Sequence, residues 1–97
     1  MSQIYYLIRS RADGRYLVAH PRVTSTSSAE NGYLLMFRED FDALSYLNTH
    51  GADVANQFAV ESVAESQIGS LLQRWGFFGV GIVQDPLLPR VEFLTNF

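Results

Sequence analysis

The chain has 97 residues, no cysteine and a formal net charge of −3 at pH 7. The missing cysteines exclude disulfides, thiol catalysis and cysteine-ligated metal centres, and an acidic total argues against broad nucleic-acid binding, which needs a clustered basic footprint. This length, with 47% apolar residues, predicts one globular domain over residues 1–97.

The N-terminal part of the chain predicts a hairpin, a loop and a third strand. Ile4–Ser10 is rich in branched and aromatic residues, and a second strand, Tyr16–His20, follows a turn that ends at Gly14. The small polar residues of Val23–Gly32 are typical of a surface loop. Tyr33–Phe37 is the third predicted strand.

A change of period then predicts a helix over 39–50, which Gly51 should end. Acidic residues crowd its first turn, where they suit the helix dipole. We expect His50 to interact with the last carbonyls of this helix. The predicted buried face consists of Phe41, Ala43, Leu44 and Leu47.

A short connector at 53–57 leads to a fourth predicted strand, Phe58–Val63, and then to the most clearly amphipathic segment of the chain. The apolar residues of that segment recur at the spacing of one helical face: Ile68, Leu71, Leu72 and Trp75. Ser62 and Glu65 fit a capping box at the start of this helix, and Gly76 ends it.

Two further strands, Gly79–Gln84 and Val91–Leu94, complete the order β-β-β-α-β-α-β-β. Each helix has a single apolar stripe, so both are expected to cover one face of a mainly antiparallel or mixed sheet. The predicted fold is therefore α+β, a two-layer sandwich. The other sheet face is expected to stay uncovered although it carries apolar residues: Tyr5, Leu7, Tyr16 and Phe78.

The longest apolar run of the chain is Trp75–Val83, interpreted as the end of a helix, a glycine hinge and a central buried strand. Gly79 and Gly81 leave one face of this strand bare, so the preceding helix, a partner chain or a ligand should pack there. The run also reads Gly76-x-x-Gly79-x-Gly81, and here a helix comes before the glycines and a strand follows. A dinucleotide-binding loop has the reverse order, and it is therefore excluded.

The sequence contains no recognisable catalytic or metal-binding pattern. His20 and His50 lie at no metal-ligand spacing, and there is no Gly-x-Ser-x-Gly elbow. Asp85 follows the buried strand, a position where sites form in open sheets, but Asp-Pro is also a common turn opener. We therefore predict no cofactor and no metal, and enzymatic activity is not favoured.

The first hairpin is the nearest approach to a nucleic-acid surface, because it combines aromatic and basic residues: Tyr5, Arg9, Arg11, Arg15 and Tyr16. The favoured interpretation is an edge hairpin whose arginines prevent aggregation.

No signal peptide is visible, and no apolar run approaches the roughly 20 residues that span a bilayer. A soluble, cytoplasmic protein is expected.

Two segments carry a family resemblance. Leu34–Leu47 gives a strand, Phe37, acidic residues and a helix containing Ala43, and Gly81–Pro86 gives a strand that runs into a proline turn. This arrangement resembles the SseB-like domain, a small α+β module of secretion-regulator and uncharacterised bacterial proteins, with Asp85 in place of the asparagine expected there. It is also similar to short uncharacterised proteins of cyanobacteria. The resemblance implies a binding or regulatory module without agreed catalytic residues.

These observations favour a binding or regulatory module that acts through protein–protein contact, with a second copy of the chain as a possible partner. The predicted contact residues are Trp75, Phe77, Phe78, Gly79, Gly81, Asp85 and Arg90. The alternative is a small-molecule-binding protein or enzyme, with a pocket near Gly79, Gly81, His20 and Asp85. Nucleic-acid binding is the third and least favoured hypothesis.

Overall fold

The computed structural model describes residues 3–19 and 32–95, and it confirms the α+β class and the predicted order of elements. The six strands are β1 (Ile4–Ser10), β2 (Val18–Ala19), β3 (Tyr33–Met36), β4 (Phe58–Ala64), β5 (Gly79–Asp85) and β6 (Arg90–Leu94). The helices are α1 (Asp40–His50), a 3-10 helix (Ala52–Gln57) and α2 (Glu65–Trp75). No helix among the described residues is long and apolar enough to span a bilayer.

The strands form a mixed arrangement, as expected. β2, β3, β5 and β6 lie side by side in that order, with β3 parallel to β5 and the other neighbours antiparallel. β1 pairs with β4 in a separate antiparallel ladder. Bridges from Tyr6 to Phe37 and from Arg9 to Tyr16 join the two sets of strands. β5 therefore lies between two strands, which confirms the prediction of a central buried strand.

The predicted first hairpin forms only near its turn. The backbone N–H of Leu17 donates to the Ile8 carbonyl at 2.8 Å, and the N–H of Leu35 donates to the Leu17 carbonyl at 3.2 Å. The second strand thus leaves β1 and continues beside β3, which limits β2 to Val18–Ala19. His20 and the predicted loop Val23–Gly32, apart from Gly32 itself, lie outside the described residues.

The two helices lie on opposite faces of the sheet, so the expectation that both cover one face is wrong. Ile68 of α2 belongs to a cluster with residues that we call the α2 face: Leu34, Met36, Val80 and Ile82. Ala43 and Leu47 of α1 belong to a second cluster, with Leu35, Phe37 and Val83. Consecutive β3 side chains alternate between these clusters, because neighbouring residues of a strand point to opposite faces.

This arrangement also corrects the predicted uncovered face. Tyr5 and Leu7 are 7% and 0% exposed, inside the cluster that contains Ile68. The four-residue strand β3 is apolar on both sides, so each side must be covered to remove it from water. One helix on each face satisfies that requirement.

Helix α2 confirms the predicted apolar stripe. Ile68 is fully buried, and the chain leaves the helix through Gly76, whose φ of 74° is left-handed. The predicted capping box is wrong, because Ala64 occupies the N-cap position and no side chain caps the helix. Instead, the carbonyl of Gln3 accepts the Glu65 N–H at 2.8 Å, which ties the helix start to the chain that leads into β1.

Helix α1 has the predicted position, but its buried face is rotated. Ala43 and Leu47 are buried, whereas Phe41 is 61% exposed and Leu44 is 49% exposed. The rotation brings the ring of Tyr46 against Phe37, with centroids 5.5 Å apart. Contact with a large core aromatic residue therefore replaces the burial of Phe41 and Leu44.

Candidate functional site

The aromatic segment after α2 is divided between the two faces of the sheet. The N–H groups of Gly76 and Phe77 both donate to the Leu72 carbonyl, at 2.8 and 3.0 Å, which turns the chain sharply towards β5. Phe77 then packs against the cluster on the α2 face. Phe78 contacts Tyr33, which shares a face with Leu35 on the other side.

On the α2 face, Trp75 and Phe77 join Tyr16 in a group of rings. The Tyr16 and Trp75 rings meet edge to face with centroids 5.3 Å apart. Trp75 and Phe77 are stacked at 6.2 Å with an interplanar angle of 7°. We call these three residues, with Arg9 and Glu61 described next, the Tyr16 cluster.

Polar partners hold the Tyr16 cluster in place. The Tyr16 hydroxyl donates to Glu61 Oε1 at 2.9 Å, and the guanidinium of Arg9 lies 4.9 Å from the Tyr16 ring centroid. Arg9 also donates to Glu61 at 3.4 Å and to the carbonyl of Gly14 at 2.8 Å. Burial, followed by the hydrogen bond and charge of Glu61, raises the pKa of Tyr16. These contacts connect β1, its turn and β4, which is a structural role.

A second group of rings lies on the opposite face, on β3, on β6 and at the residue before β5. Tyr33 contacts Phe93 with centroids 5.2 Å apart and Phe78 at 6.1 Å. Phe78 is 45% exposed and Phe93 is 39% exposed. We call Tyr33, Phe78 and Phe93 the aromatic surface. In contrast to the Tyr16 cluster, it has no hydrogen bond between side chains among the described residues.

The two glycines of β5 permit close packing of β6. A Cβ atom at Gly79 would collide with the Leu94 carbonyl oxygen. A Cβ atom at Gly81 would lie 3.2 Å from the Phe93 ring. The bare face predicted for β5 therefore exists, and strand β6 covers it. A ligand pocket directly over these glycines has no space.

The predicted polar residues of the β5–β6 turn have local roles. Asp85 Oδ1 accepts the N–H groups of Leu87 and Leu88 at 2.9 and 3.3 Å, so Asp85 caps its own turn. Arg90 lies opposite Asp85 in the strand ladder. His50 Nε2 is 2.9 Å from the Pro86 carbonyl, rather than bonded to the end of its own helix as expected. This contact links α1 to the turn.

The structure thus separates the predicted contact residues. Trp75 and Phe77 belong to the Tyr16 cluster, Phe78 belongs to the aromatic surface, and the remaining four lie along β5 and at the start of β6. The sequence prediction missed Tyr33 and Phe93. The alternation of Val91 and Phe93 in a C-terminal strand was a usable signal, but the neighbours of Phe93 depend on the strand order.

The described residues contain no group of three His, Asp or Glu side chains that could hold a metal ion. Comparison of the chain with protein-family models, curated protein sequences and solved structures finds no significant match.

Proposed function

We propose that this protein is a non-enzymatic binding module that acts through protein–protein contact, and that its partner is a second copy of the same chain. The observation that carries the proposal is the aromatic surface, where Phe78 and Phe93 lie beside Tyr33 and remain 45% and 39% exposed. Burial of adjacent exposed rings against a partner stabilises the complex, and aromatic residues dominate interface hot spots.

The edge strand β6 supports a second copy as the partner. Among the described residues, no strand pairs with the outer side of β6. If two copies of β6 pair antiparallel with Val91 opposite Val91, each Arg90 lies opposite Glu92 of the second copy. Such cross-strand charge pairs are favourable, and the pairing has the twofold symmetry that is commonest in homodimers. The same pairing brings the two aromatic surfaces to one face of a continuous sheet.

The test is sedimentation velocity over a range of protein concentrations, on the wild type and on Phe78→Ala. We expect a reversible dimer whose dissociation constant rises at least about tenfold in Phe78→Ala, because hot-spot truncations cost more than about 1.4 kcal/mol. Phe41→Ala is the matched control, since it removes another exposed phenylalanine from the outside of α1. It should leave the dissociation constant unchanged.

Two results would contradict the proposal. A wild type that stays monomeric at high micromolar concentration excludes self-association as the function. A loss of thermal stability in Phe78→Ala typical of a core phenylalanine, about 3–5 kcal/mol, would mean that Phe78 supports the fold rather than the interface.

The nucleic-acid alternative receives less support, because the arginines of the first hairpin have partners within the chain. Arg9 donates to Glu61 and to the Gly14 carbonyl. Arg11 donates to the Phe58 carbonyl at 3.2 Å. Arg15 Nε lies 3.9 Å from Asp13 Oδ2. Strong retention on heparin at low salt would nevertheless favour that alternative.

The SseB-like resemblance and the cytoplasmic location remain predictions from the sequence.

A further inference from the structure

A cavity of about 240 Å³ lies between α1, the 3-10 helix and the start of β4, and it shares no residue with the aromatic surface. Three of the residues that line it have aliphatic side chains: Leu17, Leu47 and Val54. Three other lining residues have aromatic rings: Tyr46, His50 and Phe58. No Asp, Glu, Lys or Arg side chain lines it, so it offers no partner to a charged molecule.

Two of the residues that line the cavity, Tyr46 and His50, carry polar atoms that a ligand could bond. His50 Nε2 must carry hydrogen, because its partner, the Pro86 carbonyl, can only accept. In the tautomer that carries hydrogen on Nε2 alone, Nδ1 is an acceptor. The Tyr46 ring lies 4.7 Å from that of His50, and its hydroxyl has no hydrogen bond with any residue that the structure describes. Burial raises the pKa of Tyr46, which keeps the hydroxyl protonated at neutral pH.

We propose that this cavity binds a small neutral aromatic molecule with one or two rings and a single hydrogen-bonding group. An apolar cavity of about 150 Å³ is large enough for benzene, so the present cavity admits a ring with one substituent or a fused pair of rings. Sites for drug-sized ligands begin at about 300 Å³. The ring-lined walls favour an aromatic ligand, and the Tyr46 and His50 groups select one that can form a hydrogen bond.

The test uses phenol and toluene as probes, because they have nearly the same shape and differ in one hydroxyl. Backbone amide NMR spectra of the full chain are recorded during titration with each probe. We expect saturable shifts for amides around the cavity, including Leu47, Gly51 and Val54. Phenol should bind more tightly than toluene by about fivefold, the effect of one net hydrogen bond between neutral groups.

Two variants separate a site from unspecific contact. Tyr46→Phe keeps the ring and should weaken phenol about fivefold while leaving toluene unchanged, if the Tyr46 hydroxyl is the partner. Val54→Trp should fill the cavity and abolish the binding of both probes. Val54 lines the cavity and is 39% exposed, so a larger side chain there can occupy the cavity without displacing buried residues. Leu87→Trp, in the exposed β5–β6 turn, is the control and should bind like the wild type.

The proposal is overturned if neither probe gives saturable shifts, or if the shifts persist in Val54→Trp with a well-dispersed spectrum. Equal affinities for phenol and toluene in the wild type would overturn the hydrogen-bonding part. None of these results depends on dimerisation, because the cavity and the aromatic surface have no residue in common.

Discussion

The two groups of rings differ in the partners that surround them. In the Tyr16 cluster, the Glu61 carboxylate accepts a hydrogen bond from Tyr16 and the Arg9 guanidinium lies over the Tyr16 ring. Tyr16 and Phe77 also pack against the core that contains Ile68. In the aromatic surface, rings contact one another across strands but have no comparable polar anchor among the described residues. Rings of similar composition thus have different surroundings: the first group stabilises the fold, whereas the second lacks such anchors, and we propose that a partner covers it.

The largest expected effect tests the core below the first group. Ile68→Ala should lower the free energy of unfolding by about 2–5 kcal/mol, because it opens a cavity in a fully buried cluster. Urea denaturation followed by circular dichroism measures the change. Gly69→Ala is the matched control on the same helix: a Cβ at Gly69 would meet no atom within 4 Å. It should raise stability by up to about 1 kcal/mol. Equal, small effects of both changes would show that α2 does not cover the sheet.

A pair of hydroxyl deletions tests the comparison directly. Tyr16→Phe removes the hydrogen bond to Glu61 and should cost about 1 kcal/mol, since the pair is only partly buried. Tyr33→Phe should change stability by less than about 0.5 kcal/mol, because no hydrogen bond of the Tyr33 hydroxyl is lost. Chemical denaturation of both variants is sufficient. If Tyr33→Phe is the more destabilising change, the proposed distinction between the two groups is wrong.

The smallest expected effect is a difference in pH dependence. The pKa of Tyr16 is raised above its ordinary value of 10.0 by burial and by Glu61, against the opposing charges of Arg9 and Arg74. Its contribution to stability is therefore complete below pH 10 and is lost as pH rises through the folded-state pKa.

Thermal melts from pH 8 to 11.5 measure this loss. Tyr16→Phe should decline less steeply than the wild type above pH 10, whereas Tyr33→Phe serves as the control for general alkaline denaturation. Identical slopes for wild type and Tyr16→Phe would mean that neither burial nor Glu61 raises the pKa of the Tyr16 hydroxyl.

The sequence predicted the elements well because most of them carry a single, unambiguous period. Helix α2 has one apolar stripe, and its buried residue Ile68 was identified correctly. Helix α1, for which a single stripe was predicted, has two overlapping stripes: one contains Phe41 and Leu44, and the other contains Ala43 and Tyr46. Periodicity alone could not choose between them. The choice depends on Phe37, a tertiary contact.

The sequence contains a pattern that predicts one helix on each face of the sheet. The run Leu34–Phe37 is apolar without alternation, which is typical of a strand buried on both faces. The aromatic surface is different. Tyr33, Phe78 and Phe93 are distant in the sequence, and they meet only because β3 pairs with β5 in parallel, with Tyr33 opposite Gly79. No local pattern specifies that register.

The parallel pairing of β3 and β5 also affects the order of folding events. The β5–β6 hairpin closes a short loop, whereas the β3–β5 pair requires residues 37–78 to be arranged first. Contacts between distant segments form late, since the entropy of closing long loops must be overcome. We therefore expect Tyr33 to reach Phe78 and Phe93 late in folding. A partly folded chain would then lack the complete aromatic surface, so the proposed self-association would be restricted to molecules that have already folded.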